Sequence, residues 1–237
     1  GAQNPPVGCA TVATDGSVHA EALIRFSLLS ALSTQNNPPD QASKPFSKNR
    51  DGFVMAEGAG ALVLESLEHA TARGAKIIGV VSGCGEVADS FHRTRSSPDG
   101  KPVIACMHQA LADSGMTAES IDHINAHGTS TPENDKMETN CVMAVFGERA
   151  KQIPITSNKS MIGHTLTAAG AIEAVVSLLT IQHQRIPPTI NYNTPDPAIV
   201  LDVVGNTARD AKVRTVLSNS FGFGGQNVSL VLSGEPA

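Results

Sequence analysis

The sequence predicts an α/β fold built in layers, and three observations lead to this prediction. Segments with the character of β-strands alternate with segments of helical periodicity along the chain. Glycine and proline stand at most of the boundaries between these segments. One predicted helix, over 167–184, is apolar on almost all sides, which is typical of a helix buried between two layers.

The composition is that of a folded protein. The 237 residues are 41% hydrophobic and 16% charged, and the formal net charge is -5 with scattered basic residues. We therefore expect no nucleic-acid partner, and no apolar run or leading segment predicts a membrane span or a signal peptide. The four cysteines form no CxxC pair and no metal-binding spacing with histidine, so we expect no metal and a reducing, cytoplasmic setting.

The first third of the chain predicts a helix and a strand-to-helix unit. Residues 1–18 contain glycine and proline without periodicity, so they predict no element. Apolar residues at helical spacing predict a helix over 19–34, and Pro, Asn and Ser predict a loop over 35–53. Residues 59–74 begin as an apolar strand and become helical, with Gly74 at the predicted helix end.

Strands and helices alternate regularly over the remainder of the chain. Pro132, followed by acidic residues, suits the first turn of a helix, and Gly115 stands where another helix is expected to end. The predicted elements are a strand over 75–88, a loop and helix over 96–116, a strand over 121–127, a helix over 132–147, a strand over 153–156, the helix over 167–184, and a strand, glycine-rich turn and strand over 214–234.

A histidine stands at the end of the strand predicted over 121–127. It is His127 in the segment "NAHGTSTPEND", where Gly128 lets a ligand approach the backbone closely. Thr129 and Thr131 occupy alternate positions of an extended segment, which places their hydroxyl groups on one face. Strand ends that lead into loops are where α/β folds place their sites. The alternative is a core histidine that is hydrogen-bonded to the backbone.

The same arrangement recurs after the strand predicted over 153–156, in "SNKSMIGHTLTAAG". His164 follows Lys159 by five residues, and Glu173 lies nine residues further on in the apolar helix. A buried carboxylate there requires a cation, and Lys159 is the obvious partner. The pair is either a structural ion pair or a device that sets the protonation and orientation of His164.

The segment "NSFGFGGQN" (219–227) is a third candidate. It does not follow the GxGxxG pattern and does not open a helix, which argues against a dinucleotide site. Its glycines favour a mobile turn whose backbone N–H groups face a substrate oxygen. The alternative is an ordinary hairpin turn.

Several motifs resemble those of a known enzyme family. They are "ALST", "KPFSKNRDGFVMAEGAGALVLE", "FHRT", "NAHGTSTPENDKME", "SNKSMIGHTLTAAGAIEAV", "PPTINYNTPDP" and "LSNSFGFGGQN". Nearly continuously from Ala31 to Leu232, the chain resembles the β-ketoacyl-acyl-carrier-protein synthases, above all the elongating condensing enzymes of bacterial fatty-acid synthesis. The resemblance implies the thiolase fold, a layered αβαβα sandwich of two similar halves, and a homodimer.

The resemblance also implies roles for individual residues. His127 and His164 match the two histidines of the family's Cys-His-His site, and Lys159 and Glu173 match its charged pair. The resemblance further assigns Thr129 and Thr131 to the phosphopantetheine arm of the acyl-carrier protein, Phe223 to gating and the oxyanion hole, and Phe221 and Gly224 to substrate contacts. No resident cofactor is implied.

The front of the chain departs from the family pattern. The family has a complete N-terminal half before "ALST", whereas about thirty residues precede it here. We therefore expect residues 1–74 to be a remnant of the N-terminal half and 75–237 to be the C-terminal half. "VGCATVA" resembles the nucleophile elbow, which makes Cys9 the candidate nucleophile, with an ordinary loop thiol as the alternative. Either residues are missing near Ala13 and Thr14, or the chain is truncated.

The function implied is decarboxylative Claisen condensation of an acyl thioester with malonyl-acyl-carrier protein. The acyl group would reside on Cys9, the histidines would stabilise the enolate, and the N–H groups of Cys9 and Phe223 would bind the oxyanion. The alternative is a non-catalytic remnant or a partner protein similar to a chain-length factor. The shortened first half favours that alternative, and the intact histidines oppose it.

Overall fold

Six α-helices and ten β-strands lie in residues 8–234, the part of the chain that the computed structural model describes. The helices are α1 (Ala20–Ser27), α2 (Leu67–Ala72), α3 (Lys101–Ser114), α4 (Pro132–Phe146), α5 (Lys159–Ile162) and α6 (Ala169–His183). The strands are β1 (Gly8–Asp15), β2 (Gly58–Glu65), β3 (Val80–Ala88), β4 (His123–Asn125), β5 (Pro154–Thr156), β6 (Arg185–Ile186), β7 (Asp202–Val203), β8 (Arg209–Asp210), β9 (Thr215–Phe221) and β10 (Gln226–Ser233).

The main sheet has six strands in the order β3-β10-β9-β4-β5-β7. Strand β4 is parallel to both of its neighbours, whereas β10 is antiparallel to β3 and β9. Alternate residues of β9 and β10 supply two separate cores. Val216 and Leu232 pack with residues of α6, while Leu217 and Val231 pack with residues of α3 and α4 on the opposite face. Helices therefore cover both faces of this sheet.

Helix α6 lies between the main sheet and a second sheet. It packs against β9 and β10 on one side and against β2 on the other, where β1 and β2 form an antiparallel pair. The approach is close at Gly60, where an added Cβ would lie 2.8 Å from the Ile172 nitrogen. The layers are thus α3 with α4, the main sheet, α6, and the β1–β2 sheet, which confirms the predicted layered α/β arrangement.

The apolarity of α6 reflects its position between layers. By length and composition, the segment Leu166–His183 is the one helical stretch among residues 8–234 that meets the criteria for a membrane span. It also carries Glu173, which is 1% exposed and paired with Lys159. A helix that packs between two sheets and buries an ion pair is explained as a core helix.

The sequence-based predictions were wrong at the front of the chain. Residues 8–15 form β1, although no element was predicted there. β-Branched residues on both strands and the antiparallel register from Gly8–Glu65 to Asp15–Gly58 stabilise this pairing. Helix α1 spans only eight residues of the predicted 19–34, because Ser30 adopts a positive φ of 53° after Leu28 caps the helix.

Candidate active site

His127 lies two residues beyond the end of β4, as its sequence context predicts. Its side chain is buried, and the residue is 6% exposed. The ring packs against Phe221 at the end of β9, with ring centroids 5.5 Å apart. Because β4 and β9 are adjacent parallel strands, their carboxyl ends bring both side chains to the same edge of the sheet.

His164 is held at the same edge by the loop that precedes β2. Its N–H donates to the Val54 oxygen at 2.7 Å, and its carbonyl oxygen accepts from the Ala56 N–H at 3.0 Å. Phe53 packs against the ring with an edge contact at 5.2 Å. The ring centroids of His127 and His164 lie 5.4 Å apart, and the two ring planes form an angle of 83°. The predicted convergence of the two histidines is therefore confirmed.

Hydrogen bonds to the Nδ1 atoms define the tautomers of both histidines. The Leu166 N–H donates to His164 Nδ1 at 3.2 Å, so the ring proton of His164 resides on Nε2. The Lys159 ammonium lies 3.5 Å from His127 Nδ1, and an ammonium can only donate. His127 therefore also carries its proton on Nε2, and both rings offer an N–H donor.

Both rings are neutral near pH 7. Burial lowers the pKa of His127 well below its usual range, and the positive charge of Lys159 lowers it further. Burial and Lys159 likewise hold the pKa of His164 well below its usual range, opposed by the carboxylate of Asp15. Neutral imidazoles donate hydrogen bonds without introducing a full positive charge into the site.

Lys159 and Glu173 form the predicted buried pair. Both side chains are 2% exposed and form an ion pair, and the Lys159 Nζ also donates to the His127 carbonyl oxygen at 2.7 Å. Burial raises the pKa of Glu173, and Lys159 and the Ser220 hydroxyl oppose this rise. The pair is buried and, unlike the two histidines, does not line the cleft described below. Its nearest histidine contact is His127, whereas the sequence reasoning connected it with His164.

Thr129 and Thr131 have adjacent hydroxyl groups, but a turn rather than an extended segment brings them together. Their Oγ1 atoms are 2.9 Å apart, and the Thr131 N–H donates to the Thr129 Oγ1 at 3.3 Å. Ser130 between them has a positive φ of 71°. The Thr131 hydroxyl also accepts from the Asn134 N–H, which caps the first turn of α4.

Glu138 in α4 supports this part of the site, and the sequence analysis missed it. The carboxylate is fully buried and accepts hydrogen bonds from the N–H groups of His127 and Gly128, each at 2.9 Å. Asn219 donates to it at 3.3 Å. Burial raises the pKa of Glu138 to about 7. Its spacing from Asp135 was the available signal, because acidic residues at i and i+3 share one helix face.

The glycine-rich segment forms the turn between β9 and β10. The Gly224 N–H donates to the Arg93 oxygen, and the Gly225 carbonyl accepts from the Asp89 N–H, each at 2.7 Å. Phe223 at the tip is 43% exposed and packs against Phe26 at 6.1 Å. Within residues 8–234, the Phe223 N–H makes no backbone hydrogen bond, so it is free to donate to a ligand.

A cleft of about 2170 Å³ joins these groups. It is lined by both histidines, by Thr129 and Thr131, and by Phe223. Lys159 and Glu173 do not line it. Among residues 8–234, no cysteine side chain lines this cleft, and no cluster of three metal-ligating side chains occurs.

The structure contradicts the predicted elbow at Cys9. Cys9 is exposed in β1 and pairs with Leu64 in a regular ladder that continues to Asp15. No helix follows it directly, so no tight turn presents the thiol. Asp15 at the other end of β1 contacts Thr167 near His164. Cys9 and Asp15 are six positions apart in the sequence, which is about 20 Å of extended strand, and this places Cys9 away from the histidines.

Comparisons with known proteins agree with the motifs. The profile of the family described as "Beta-ketoacyl synthase, C-terminal domain" matches residues 78–193, and that of the "Beta-ketoacyl synthase, N-terminal domain" matches residues 9–70. A 3-oxoacyl-(acyl-carrier-protein) synthase 2 of Coxiella burnetii is 49% identical over 208 residues, covering 88% of this chain and 50% of that protein. The corresponding protein of Synechocystis is 46% identical, covering 92% of this chain and 52% of that protein.

Solved structures show the same fold. A ketosynthase in complex with its type II PKS acyl-carrier protein superimposes with a TM-score of 0.92 at 40% identity, covering 96% of this chain and 56% of that chain. A β-ketoacyl synthase from Burkholderia phymatum superimposes with a TM-score of 0.91 at 38% identity, covering 97% of this chain and 55% of that chain. The fold is therefore the thiolase-like α/β fold of the ketosynthases.

The chain spans about half the length of the curated relatives that it matches. The N-terminal domain profile matches the first part of the chain, and the C-terminal domain profile matches the part that follows. The sequence identity to these relatives is close to one half over most of the chain. The chain belongs to the β-ketoacyl synthase family.

Proposed function

We propose that this protein acts in the decarboxylative Claisen condensation of an acyl thioester with a malonyl thioester, in fatty-acid or polyketide chain elongation. The observation that carries the proposal is the pair of neutral imidazoles, His127 and His164, which line one cleft and each carry a proton on Nε2. Two such donors suit a thioester oxygen that gains negative charge.

The step that we assign to the described residues is decarboxylation of the malonyl group. The bond between the malonyl α-carbon and its carboxylate breaks, and carbon dioxide leaves. The electron pair moves onto the thioester, which becomes an enolate with its charge on oxygen. Both Nε2–H groups stabilise that oxygen without transferring their protons. The enolate carbon then attacks the acyl thioester, and the acyl carrier's sulfur leaves as thiolate.

The thioester arm fits the other polar groups of the cleft. Phosphopantetheine contains two amides, and the hydroxyl groups of Thr129 and Thr131 are suited to bind them. The free N–H of Phe223 is suited to bind the oxyanion of the condensation step, with Phe221 and Gly224 contacting substrate in the same region. An acyl-carrier protein is accordingly the proposed partner, and a ketosynthase relative is known in complex with one.

A second candidate function is a non-catalytic partner subunit, and one observation favours it. No cysteine of residues 8–234 lines the cleft that holds both histidines. A relative with a TM-score of 0.76 and 30% identity is a ketosynthase in complex with its chain length factor. In this alternative the protein binds a catalytic subunit and performs no chemistry of its own.

Decarboxylation of malonyl-pantetheine distinguishes the two functions. We expect carbon dioxide release by the wild-type chain, and a loss of about 100-fold or more in rate for His127→Ala or His164→Ala, as for removal of one oxyanion donor. His108→Ala, on the exposed face of α3, is the matched control and should keep the wild-type rate. Equal, background rates for all four proteins would leave the partner-subunit function.

Two further properties are proposed with the function. We place the protein in the cytoplasm, where its four cysteines remain free thiols. We also propose a homodimer, supported by exposed apolar side chains at the C-terminal end of α1, where Ile24 and the capping residue Leu28 are 61% and 79% exposed. Sedimentation analysis that finds only a monomer at micromolar concentration would refute the dimer.

A further inference from the structure

Arg50 connects three separate segments beneath the cleft. Its side chain is 6% exposed, and its Nη1 donates to the Ser47 oxygen at 2.8 Å and to Asp196 Oδ2 at 2.7 Å. The same guanidinium donates from Nε to the Thr131 oxygen at 3.4 Å and from Nη2 to the Pro132 oxygen at 3.3 Å. Arg50 does not line the cleft itself.

Asp135 completes this connection from the side of α4. The carboxylate is fully buried and lies 3.6 Å from the Arg50 Nε. It accepts the N–H of Phe46 at 2.9 Å and the N–H of Ser130 at 3.2 Å. One buried carboxylate thus holds the segment that carries Arg50 and the turn over 129–132 together.

The turn over 129–132 adopts a conformation that its own sequence does not favour. Ser130 has a φ of 71°, which is unusual for a residue other than glycine, asparagine or aspartate. Its carbonyl oxygen accepts from the Gly52 N–H at 3.1 Å, and its hydroxyl accepts from the Lys44 N–H at 3.1 Å. This conformation brings the hydroxyls of Thr129 and Thr131 to 2.9 Å from each other.

We infer that Arg50 is a positioning residue for the Thr129–Thr131 hydroxyl pair, an inference that rests on the proposed function. By binding the carbonyl oxygens of Thr131 and Pro132 while anchored on Asp196, it holds the turn in the conformation that presents both hydroxyls to the pantetheine amides. A planar guanidinium can donate in several directions at once. A lysine ammonium is a compact charge and cannot span these acceptors.

Binding of pantetheine itself tests the inference without catalysis. We expect Arg50→Lys to weaken the Kd for pantetheine about tenfold, the loss expected when one or two hydrogen bonds are no longer formed. Arg209→Lys is the matched control, because Arg209 pairs with Asp202 through two hydrogen bonds away from the cleft and should leave the Kd unchanged. An unchanged Kd in Arg50→Lys, or no binding of pantetheine by the wild type, would overturn the inference.

Two substrates separate positioning from general damage. Malonyl-pantetheine contains both amides, whereas the malonyl ethyl thioester contains neither. We expect Arg50→Lys to raise KM about tenfold for the first substrate and to leave kcat/KM within about twofold for the second. Equal losses with both substrates would mean a merely structural role.

The outcomes for Arg50 and for the proposed function are distinguishable. If the wild type decarboxylates neither substrate, the proposed function fails, while the ratio of pantetheine Kd values still decides the role of Arg50. If Arg50→Lys does not fold, as judged by circular dichroism, Asp196→Asn replaces it, since this variant removes the anchor of the guanidinium. We expect a several-fold weaker Kd for Asp196→Asn, and an unchanged value would overturn the inference.

Discussion

Removal of the charge on Glu173 is the most informative perturbation of the site. Glu173 and Lys159 are each 2% exposed, so Glu173→Gln leaves a buried ammonium without its counter-ion. Breaking a buried pair in this way costs about 3–5 kcal/mol in the free energy of unfolding. Without this counter-ion, the ammonium is no longer anchored beside His127 Nδ1. The tautomer with the proton on Nε2 is then no longer enforced.

The effect on rate should therefore exceed the effect on folding. Loss of one Nε2–H donor to the enolate oxygen is worth about 10²–10³ in kcat, whereas the variant is expected to remain folded at 15 °C. The assay is release of carbon dioxide from malonyl-pantetheine, with the folded fraction at the same temperature measured by circular dichroism. Wild-type turnover by Glu173→Gln would refute the functional role and leave a structural ion pair.

A double-mutant cycle separates the two contributions of the pair. Lys159→Met with Glu173→Gln removes both charges, so its loss in the free energy of unfolding should be smaller than the sum of the single losses by about 2 kcal/mol. Its decarboxylation rate should stay low, because no cation faces His127 Nδ1. Additivity of the stabilities within about 0.5 kcal/mol would show that the two side chains are not coupled.

Three further predictions concern other parts of the molecule. Burial lowers the pKa of His123 to about 3, so the unfolded chain binds a proton at this residue below about pH 6.5 that the folded protein does not bind. The free energy of unfolding should therefore fall as the pH decreases from 6.5 to 5. Urea titrations at several pH values measure this dependence, and His123→Gln should reduce the slope of the unfolding free energy against pH by about 1.4 kcal/mol per pH unit. An unchanged slope would contradict this account. Cys9→Ser should retain the wild-type decarboxylation rate, and a loss greater than tenfold would restore Cys9 to the site. Gly225→Ala should lower activity more than Gly224→Ala, because an added Cβ at Gly225 would lie 1.8 Å from the Asp89 oxygen whereas nothing lies within 4 Å at Gly224; equal activities would show that contact between the two loops is unimportant.

The sequence predicted the elements whose signals are local. Helices α3 and α4 begin and end within a residue or two of glycine and proline signals, and the apolar pattern of α6 correctly indicated a helix between layers. The convergence of His127 and His164 was also predictable, because each follows a short apolar strand. His127 lies just beyond the end of β4, and His164 lies in the segment that follows the parallel neighbour β5 through α5, so both reach the edge of the sheet where such sites assemble.

The features that the sequence could not predict depend on long-range partners. Strand β1 is stable through its pairing with β2, which lies about fifty residues away in the chain, so residues 8–15 lack a convincing signal alone. The triplet at Cys9 resembled an elbow for the same reason, since its small residues are compatible with a turn as well as with a strand, and the pairing with β2 selects the strand. Glu138 looked like one more acidic residue in α4, because all three groups that donate to it, the N–H groups of His127 and Gly128 and the Asn219 side chain, lie outside the helix.

The number of acceptors beside His127 explains why the cation there is the ammonium group of a lysine. A lysine ammonium has three N–H donors, and the site offers three acceptors to Lys159: the carboxylate of Glu173, the His127 carbonyl oxygen and His127 Nδ1. Because the carboxylate balances the charge, the ammonium can lie beside an imidazole without raising the net charge of the interior. The same positive charge opposes protonation of both histidines. Burial and one balanced cation thus keep two neutral N–H donors in place, which is what an enolate oxygen requires.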